Sequence, residues 1–334
     1  MTVIEVNPAD CWVSLNFVAA ATIMLNTFSI DQHEMWLYEV DGHYVTPRKC
    51  NGVLMYPGER YAVLVKLDQP RADYVLRVPT SLSQTTSGYA VFRYQGGRPS
   101  GLKPGVIPPG TGFVTYGGLP TSPNVTIVDG AYDHVPPWPA TPPAATADVE
   151  HVLSMGRWEA PWRWTFTGKG AMPPDDSAYQ PLLYYPASSL AMNPNLTIQT
   201  KNGSWVDLVL RVGALPNEPA EISHAIHKHG SKIWLIGQGN GIWEYASVAA
   251  GMAAEPASFN LVDPNYRDTI VTTFKGPAWF VIRYYADNPG PWLLHCHVET
   301  HLAGGMGMVL MDGVDAWPTI PPEYALGSNG FPLL

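Results

Sequence analysis

Apolar and polar residues alternate in several short segments of the chain, and a period of two is typical of β-strands with one buried face. In residues 206–212, Val-Asp-Leu-Val-Leu-Arg-Val, every second side chain is apolar and falls on one face. Residues 61–67 alternate in part and follow the turn-forming sequence Tyr56-Pro57-Gly58-Glu59. Residues 279–285 are another strand candidate, which the Pro/Gly loop 287–291 should end.

Turn-forming residues separate these segments, so we expect an all-β sandwich or barrel. The chain contains 33 prolines and 31 glycines, which is high for a helical protein, and Asp41-Gly42 indicates a hairpin. A strand should resume at Leu293-Leu294-His295, and the residues after His297 should form a short helical turn.

The length of 334 residues is sufficient for two domains of ordinary size. Strands and turns fill residues 28–93, and a second block runs from about residue 148 to 318. The Pro/Gly/Thr-rich stretch between them predicts an inter-domain connection on the surface. We therefore predict a first domain over residues 1–100, a connection over 101–147 and a C-terminal domain over 148–334, with no internal repeat of short period.

Composition excludes several classes of protein. Apolar residues make up 46% of the chain and charged residues only 14%, which favours a packed core over disorder. With a net charge of −9 and no Lys/Arg run, the chain is not expected to bind nucleic acid. No apolar run is long enough to span a membrane, and the N-terminus does not resemble a signal peptide. The N-x-S/T sequons at Asn124, Asn195 and Asn202 nevertheless suggest a secretory route.

The three cysteines are Cys11, Cys50 and Cys296. If Cys296 binds a metal, Cys11 and Cys50 remain as one possible disulfide. We favour the alternative that both are buried free thiols.

The sequence 295–301, His-Cys-His-Val-Glu-Thr-His, is close to a complete copper site, and Met306 follows ten residues after Cys296. Two imidazoles, a thiolate and a distant thioether are the ligands of a blue-copper centre. A second cluster, His-Ala-Ile-His-Lys-His over 224–229, can supply a further imidazole. Six of the ten histidines lie in these two windows: His224, His227, His229, His295, His297 and His301.

Successive side chains of a strand point to opposite faces, so His295 and His297 should face one side and Cys296 the other. One tripeptide can then serve two metal centres. Zinc also binds Cys and His, but a structural zinc site usually has Cys-x-x-Cys spacing, which is absent, and a catalytic zinc site needs only three ligands. A thioether such as that of Met306 suits copper rather than zinc.

Segments 294–307 and 224–230 resemble the C-terminal copper-binding motifs of multicopper oxidases, and they are most similar to those of ascomycete pigment-type laccases. Segments 28–31, 40–42 and 56–61 resemble the second cupredoxin domain of that family. The resemblance implies cupredoxin-like Greek-key β-sandwich domains. The second domain of the family would be partial here, and the third complete.

The resemblance also implies a role for each ligand. His224, Cys296 and His301 match the type 1 copper ligands, with Met306 in the axial position. His227 matches a type 2 ligand, and three histidines match type 3 ligands: His229, His295 and His297. His301 would be the electron entry point beside a phenol pocket, and Cys296 would pass the electron on, so these two are the catalytic candidates.

The family builds its oxygen-reducing cluster with two further His-x-His motifs from a first domain. Residues 1–220 contain only isolated histidines: His33, His43, His134 and His151. The chain therefore resembles a multicopper oxidase without its first cupredoxin domain, and residues 1–20 fit the opening strands of the second domain poorly. We expect a complete type 1 site, half of the type 2/type 3 site, and a first domain covering those histidines.

The implied function is a laccase-like oxidation of small phenols with dioxygen, in secondary metabolism such as pigment biosynthesis. The alternative is a non-enzymatic copper-binding or electron-transfer module, because half of the cluster is absent. A zinc hydrolase is a third possibility, and it predicts a colourless protein.

Overall fold

The computed structural model describes residues 1–81, 86–99, 101–110, 112–173, 182–184, 193–215, 223–272 and 277–321. Strands dominate these residues, so the predicted all-β class is confirmed. The chain forms two compact units, Met1–Thr141 and Pro142–Leu334. The last thirteen residues of the predicted C-terminal domain lie outside the described residues.

The first unit is built from ten described strands in two sheets. The strands are β1 (Val3–Val6), β2 (Trp12–Val18), β3 (Leu25–Ile30), β4 (Met35–Val40), β5 (His43–Cys50), β6 (Gly52–Met55), β7 (Arg60–Lys66), β8 (Asp73–Ser81), β9 (Ser87–Tyr94) and β10 (Ile127–Asp129). One sheet has the order β1-β9-β8-β3-β6-β10, and the other has the order β2-β7-β4-β5. A turn of 3₁₀ helix, Pro8–Asp10, separates β1 from β2.

Both sheets contribute side chains to one apolar core, including Leu37, Val63 and Phe92. His33 lies within it. Its Nε2 is 2.8 Å from the Tyr94 hydroxyl, and its Nδ1 is 2.8 Å from the carbonyl oxygen of Asp31. Burial lowers the pKa of His33, so this histidine is a neutral, hydrogen-bonded core residue.

The opening residues of the chain differ from the prediction, because residues 3–6 and 12–18 are strands. In β2, Val13, Leu15 and Phe17 share the less exposed face, while the opposite face is open to solvent. The apolar Trp12 and Val18 lie on that exposed face and hide the alternation in the sequence. β2 pairs with β7 along its whole length, in register from Trp12 with Lys66 to Val18 with Arg60.

The segment predicted as an inter-domain connection also differs, because most of it belongs to the first unit. Within it, β10 pairs in parallel with β6, and Val114, Val128 and Val135 are buried. These apolar side chains give the Pro/Gly-rich segment a packed face, and the boundary between the units falls at residue 141 instead of at residue 147.

The three cysteines are free thiols, as we favoured for Cys11 and Cys50. Cys50 is buried, and burial raises the pKa of its thiol to about 12. The prediction that Cys11 is buried is wrong. Cys11 directly follows the 3₁₀ turn and is exposed, because that turn has no buried residue and lies at the surface.

The second unit also contains two sheets. Its strands are β11 (Val149–Trp158), β12 (Ala160–Thr165), β13 (Thr197–Gln199), β14 (Ser204–Val212), β15 (Ala225–Lys228), β16 (Ile233–Asn240), β17 (Asn265–Arg267), β18 (Thr269–Val271), β19 (Ala278–Ala286), β20 (Gly290–Cys296) and β21 (Gly307–Asp312). The sheet orders are β12-β11-β14-β19-β16-β17 and β13-β21-β20-β15-β18. The helices are α1 (Val248–Ala254), α2 (Glu299–Ala303) and the 3₁₀ turn Pro256–Ser258. No helix of the described residues has the length and apolar character needed to cross a membrane.

The core of the second unit lies between its two sheets and includes Leu208, Ile282 and Leu310. The predicted strands 206–212 and 279–285 are confirmed as β14 and β19, which pair antiparallel along their lengths. Arg283 donates two hydrogen bonds of 2.7 Å to the Asp207 carboxylate across this pair, and both side chains are buried. The helical turn predicted after His297 is confirmed as α2.

Candidate metal centre

The pairing of β15 with β20 brings the two histidine-rich sequences together. In this antiparallel register His227 lies opposite His295, and Ile226 lies opposite Cys296. Because side chains alternate along a strand, the imidazoles of His227 and His295 share one face and Cys296 points to the other. Two separate groups of possible metal ligands result.

The first group is His224, Cys296 and His301, which are all buried. The Cys296 Sγ is 3.5 Å from Nδ1 of His301 and 3.8 Å from Nδ1 of His224. The two Nδ1 atoms are 3.1 Å apart. One thiol and two imidazole nitrogens therefore converge on a single point.

Helix α2 and the double glycine after it place Met306 beside this group. The backbone N–H of Met306 donates to the carbonyl of His301, and the N–H of Cys296 donates to the carbonyl of Met306. Gly305 has a φ of 102°, and a Cβ there would lie 2.6 Å from the carbonyl oxygen of Met172. Glycine at this position lets the chain turn tightly, and Met306 is completely buried.

Thr272 fixes the backbone of His224, and Trp164 packs against both imidazoles. The backbone N–H of His224 donates to the Thr272 hydroxyl at 2.9 Å, and the backbone N–H of Thr272 donates to the carbonyl of His224. The Trp164 ring lies 4.1 Å from the His301 ring and 5.4 Å from the His224 ring, centroid to centroid. Trp164 is itself buried, so the first group is shielded from water on this side.

Burial determines the protonation states of this group. Desolvation, and then the neighbouring His301, lower the pKa of His224 to about 3. Desolvation, and then the charge of Arg157, lower the pKa of His301 to about 4. Burial raises the pKa of the Cys296 thiol to about 12. At neutral pH the imidazoles therefore offer lone pairs, whereas the sulfur must lose a proton to become a ligand.

The chemistry of the first group fits copper. A blue-copper centre uses one cysteine sulfur, two imidazoles and a distant methionine as ligands. The first group has the sulfur and the imidazoles in a dry pocket, and the backbone of Met306 is hydrogen-bonded to Cys296 and His301. His224, Cys296 and His301 are the residues that would hold such an ion.

The second group is His227, His229 and His295. The Nε2 atoms of His229 and His295 are 3.2 Å apart, and the ring centroids of His227 and His229 are 4.9 Å apart. The His297 ring lies further out, 5.5 Å from the His295 ring and 5.9 Å from the His227 ring. The structure thus brings all four predicted imidazoles to one face.

Hydrogen bonds to Nδ1 orient two of these rings. Nδ1 of His227 lies 3.0 Å from the Asp268 carbonyl oxygen and 3.1 Å from the Thr269 hydroxyl. Nδ1 of His295 lies 3.0 Å from the carbonyl oxygen of Cys296. A carbonyl partner requires a protonated Nδ1, so Nε2 of His295 is left as the unprotonated nitrogen that can bind a metal.

The three histidines of the second group and the neighbouring His297 differ in solvent exposure. His229 is exposed, His227 and His297 are half-buried, and His295 is buried. Burial, the largest cause, lowers the pKa of His295 to about 4, and burial followed by the charge of His227 lowers the pKa of His229. His229 and His295 are therefore held towards their neutral forms.

A buried ion pair behind β15 was missed in the sequence. Lys228, between His227 and His229, points into the unit, where its Nζ is 3.2 Å from the Asp312 carboxylate and 4.3 Å from the centre of the Tyr284 ring. The same ammonium donates to the carbonyl of His229 at 3.0 Å. No short-range pattern joins Lys228 to Asp312, because 84 residues separate them.

Comparison with known proteins gives the family. The family description "Multicopper oxidase" matches residues 1–97 and again residues 163–316. The chain belongs to the multicopper oxidase family. Copper is the metal that this family implies for the two histidine-rich groups.

Curated fungal proteins are similar over nearly the whole chain. The multicopper oxidase GIP1 of Gibberella zeae is 52% identical over 329 residues, which cover 98% of this chain and 48% of that protein. Laccase ustL of Ustilaginoidea virens is 48% identical, covering 97% of this chain and 50% of its own length. Laccase 1 of Metarhizium anisopliae is 46% identical, covering 97% and 55%. The chain spans about half the length of the curated relatives it matches.

Solved multicopper oxidases share the fold. The laccase of Botrytis aclada superimposes with a TM-score of 0.71 at 21% identity, covering 96% of this chain and 55% of that one. The multicopper oxidase Fet3p, described as functioning in iron import, gives a TM-score of 0.70 at 19% identity, covering 94% and 58%. These likenesses confirm a cupredoxin-like architecture.

Proposed function

We propose that the first group is a type 1 copper site, with His224, Cys296 and His301 as ligands and Met306 in the axial position. The convergence of the Cys296 sulfur with two Nδ1 atoms in a dry pocket carries this proposal. Copper held by such ligands takes up and gives up single electrons. The protein supplies the burial that excludes water and the fixed ring orientations that keep the ligand geometry constant.

We propose roles for two residues in electron transfer. His301 lies on α2, at the start of the segment that follows β20, and would be the entry point for an electron from a substrate. Cys296 is joined by peptide bonds to His295 and His297, which face the second group. The covalent route between the two groups is therefore a single residue long, and Cys296 connects them.

The second group supports a proposal for the oxygen-reducing site. His227 would be a type 2 ligand, and three histidines would be type 3 ligands: His229, His295 and His297. These are half of the imidazoles that such a cluster uses in the family. We propose that a first cupredoxin domain covers this face and supplies the rest, which the exposure of His229 supports.

We propose a laccase-like activity: one-electron oxidation or oxidative coupling of small phenols, with dioxygen reduced to water. Two of the similar fungal proteins are named laccases, which supports phenolic substrates. Aromatic polyketides and pigment precursors in secondary metabolism are the substrates we favour. The alternative is a copper-binding or electron-transfer module without oxygen reduction, which the half-complete second group supports.

We propose that the protein is a glycoprotein of the secretory route. Asn124 and Asn202 are exposed, and Asn195 is half-buried. Exposed sequons can accept a glycan during secretion. A mobility shift after glycosidase treatment of the protein purified from its natural source would support this proposal, whereas an unchanged mass would contradict it.

Copper content and oxygen uptake test the assignment of the two groups. The 334-residue chain should bind about one copper firmly, develop blue absorption and consume little oxygen with a phenol, because its second group is half complete. Four coppers with rapid turnover would contradict the half-complete site. One copper without blue absorption would contradict the type 1 assignment.

A further inference from the structure

A cavity of about 380 Å³ in the second unit is lined by basic but not by acidic side chains. It lies against β11, β13, β14 and β21. The chain has 28 acidic residues against 19 lysines and arginines, yet no Asp or Glu is among the described residues that line this cavity. Its basic lining residues are His151, Lys169 and Arg211, and we call this cavity the basic pocket.

Arg211 has a fixed but uncompensated charge. Its Nε and Nη2 donate to the Ser154 hydroxyl at 3.1 and 2.6 Å, and no carboxylate accepts from it within the described residues. Other arginines of the chain form two-point ion pairs with carboxylates, namely Arg77 with Asp31, Arg93 with Asp73 and Arg283 with Asp207. Ser154 holds the guanidinium in place, and its Nη1 side remains available for an anion.

His151 contributes a buried polar atom without a protein partner. Its Nε2 has no hydrogen-bond partner among the residues that the structure describes. A buried nitrogen in this state costs stability unless a ligand or water satisfies it. His151 lies three residues before Ser154 on β11, so the two side chains point to opposite faces of the strand, and the donors open to the cavity are Arg211 and, at the exposed rim, Lys169.

The floor of the basic pocket is apolar, since Leu153, Ile198 and Met308 line it. The cavity falls within the range of about 300–1,000 Å³ that small-molecule sites occupy. A ligand that fits these walls has one anionic end and an apolar body.

We propose that the basic pocket binds a small organic carboxylate. Arg211 would bind the carboxylate through its Nη1 side, and Lys169 would add charge at the rim. The apolar body would lie on Leu153, Ile198 and Met308. None of these residues belongs to either histidine group, so this inference does not depend on the proposed copper chemistry.

Calorimetric titration with benzoate and its neutral isostere benzamide tests this proposal, at constant ionic strength in sodium chloride. The chain carries Asn195→Gln so that no glycan occupies the rim. We expect saturable benzoate binding and at least about tenfold weaker benzamide binding, because a charge-assisted hydrogen bond is lost. Equal affinity for the two, or no saturable benzoate binding, would overturn it.

Variants localise the binding to the basic pocket. Arg211→Gln should weaken benzoate binding by at least about tenfold, and Arg211→Lys, which keeps the charge, by less. Lys66→Gln removes an exposed charge in the first unit and should change nothing. If Arg211→Gln also lowers the melting temperature, its binding loss no longer separates the site from the fold. Lys169→Gln, at an exposed position, is then the deciding variant. Unchanged benzoate affinity in the deciding variant, or an equal loss in Lys66→Gln, would refute the site.

Discussion

The ammonium of Lys228 lies 3.2 Å from the carboxylate of Asp312, and both side chains are buried. Asp312 also accepts hydrogen bonds from the Tyr284 hydroxyl at 2.9 Å and the Thr200 hydroxyl at 3.2 Å. The pair therefore fixes β15, which carries His227 and ends just before His229, to β21, on the side away from the imidazoles.

Asp312→Asn should destabilise the protein strongly. The amide keeps the shape of the side chain but leaves the Lys228 ammonium buried without a counter-charge, which costs about 3–5 kcal/mol. Chemical denaturation measures this loss. Glu34→Gln, which breaks the exposed pair with Lys49, is the control and should cost less than about 1 kcal/mol.

Adding Lys228→Met to Asp312→Asn should restore part of the lost stability, because the uncompensated charge is then removed. A double variant that is less stable than Asp312→Asn alone would show that Lys228 stabilises the fold through its other contacts. Those are the bond to the carbonyl of His229 and the contact with the Tyr284 ring.

Cys296→Ser should remove the blue absorption of the copper-loaded chain, since a serine oxygen cannot provide the thiolate-to-copper transition. Visible absorption at equal copper content measures the effect. Cys11→Ser is the matched control, because Cys11 is an exposed free thiol and its loss should leave the blue colour unchanged. A Cys296→Ser protein that stayed blue would exclude Cys296 as the ligand.

Copper binding should release about one proton at pH 7. The raised pKa of Cys296, about 12, keeps the sulfur protonated in the metal-free chain, whereas His224 and His301 are already neutral. Calorimetry in buffers of different ionisation enthalpy, on the Cys11→Ser chain, counts the protons. Binding without proton release would mean that the sulfur is not the ligand, or that it is already a thiolate.

The metal-free chain should lose stability as the pH falls from about 6.5 towards 4. Unfolded imidazoles bind protons in this window, while His224, His295 and His301 stay neutral in the fold because burial lowers their pKa values to between about 3 and 4. Stability is thus present above the unfolded pKa and is lost on acidification, by about 1.4 kcal/mol per pH unit for each histidine.

Denaturation midpoints between pH 7 and 4 measure this slope. His301→Gln should reduce this slope by about 1.4 kcal/mol per pH unit, which corresponds to one proton taken up on unfolding. His134→Gln, at an exposed position, serves as the control. An identical slope in His301→Gln and the parent chain would show that His301 becomes protonated without unfolding.

The sequence predicts those features of the structure that depend only on neighbouring residues in a short segment. The strand of residues 206–212 follows from its alternation, and Cys296 with its flanking histidines follows from a tripeptide. The missed parts depend on contacts between distant segments. Asp268 orients His227 from 41 residues away, and Trp164 packs against His301 from a hairpin that carries no metal-binding motif.

The strand β2 was missed for a different reason. Trp12 and Val18 are apolar but lie on an exposed face, so the local pattern conceals the buried side of the strand. Pairing with β7 decides the conformation there, and pairing is not visible in a single segment.

Ile226 pairs with Cys296 between β15 and β20, and the next pair is His227 with His295. One strand register therefore positions ligands of both groups at once. A slip of β20 by one residue would turn the His295 imidazole into the apolar core and present the Cys296 sulfur on the open face. A one-residue insertion in either strand would therefore damage both metal centres together, whereas an insertion between His297 and His301 would displace a ligand of the first group alone.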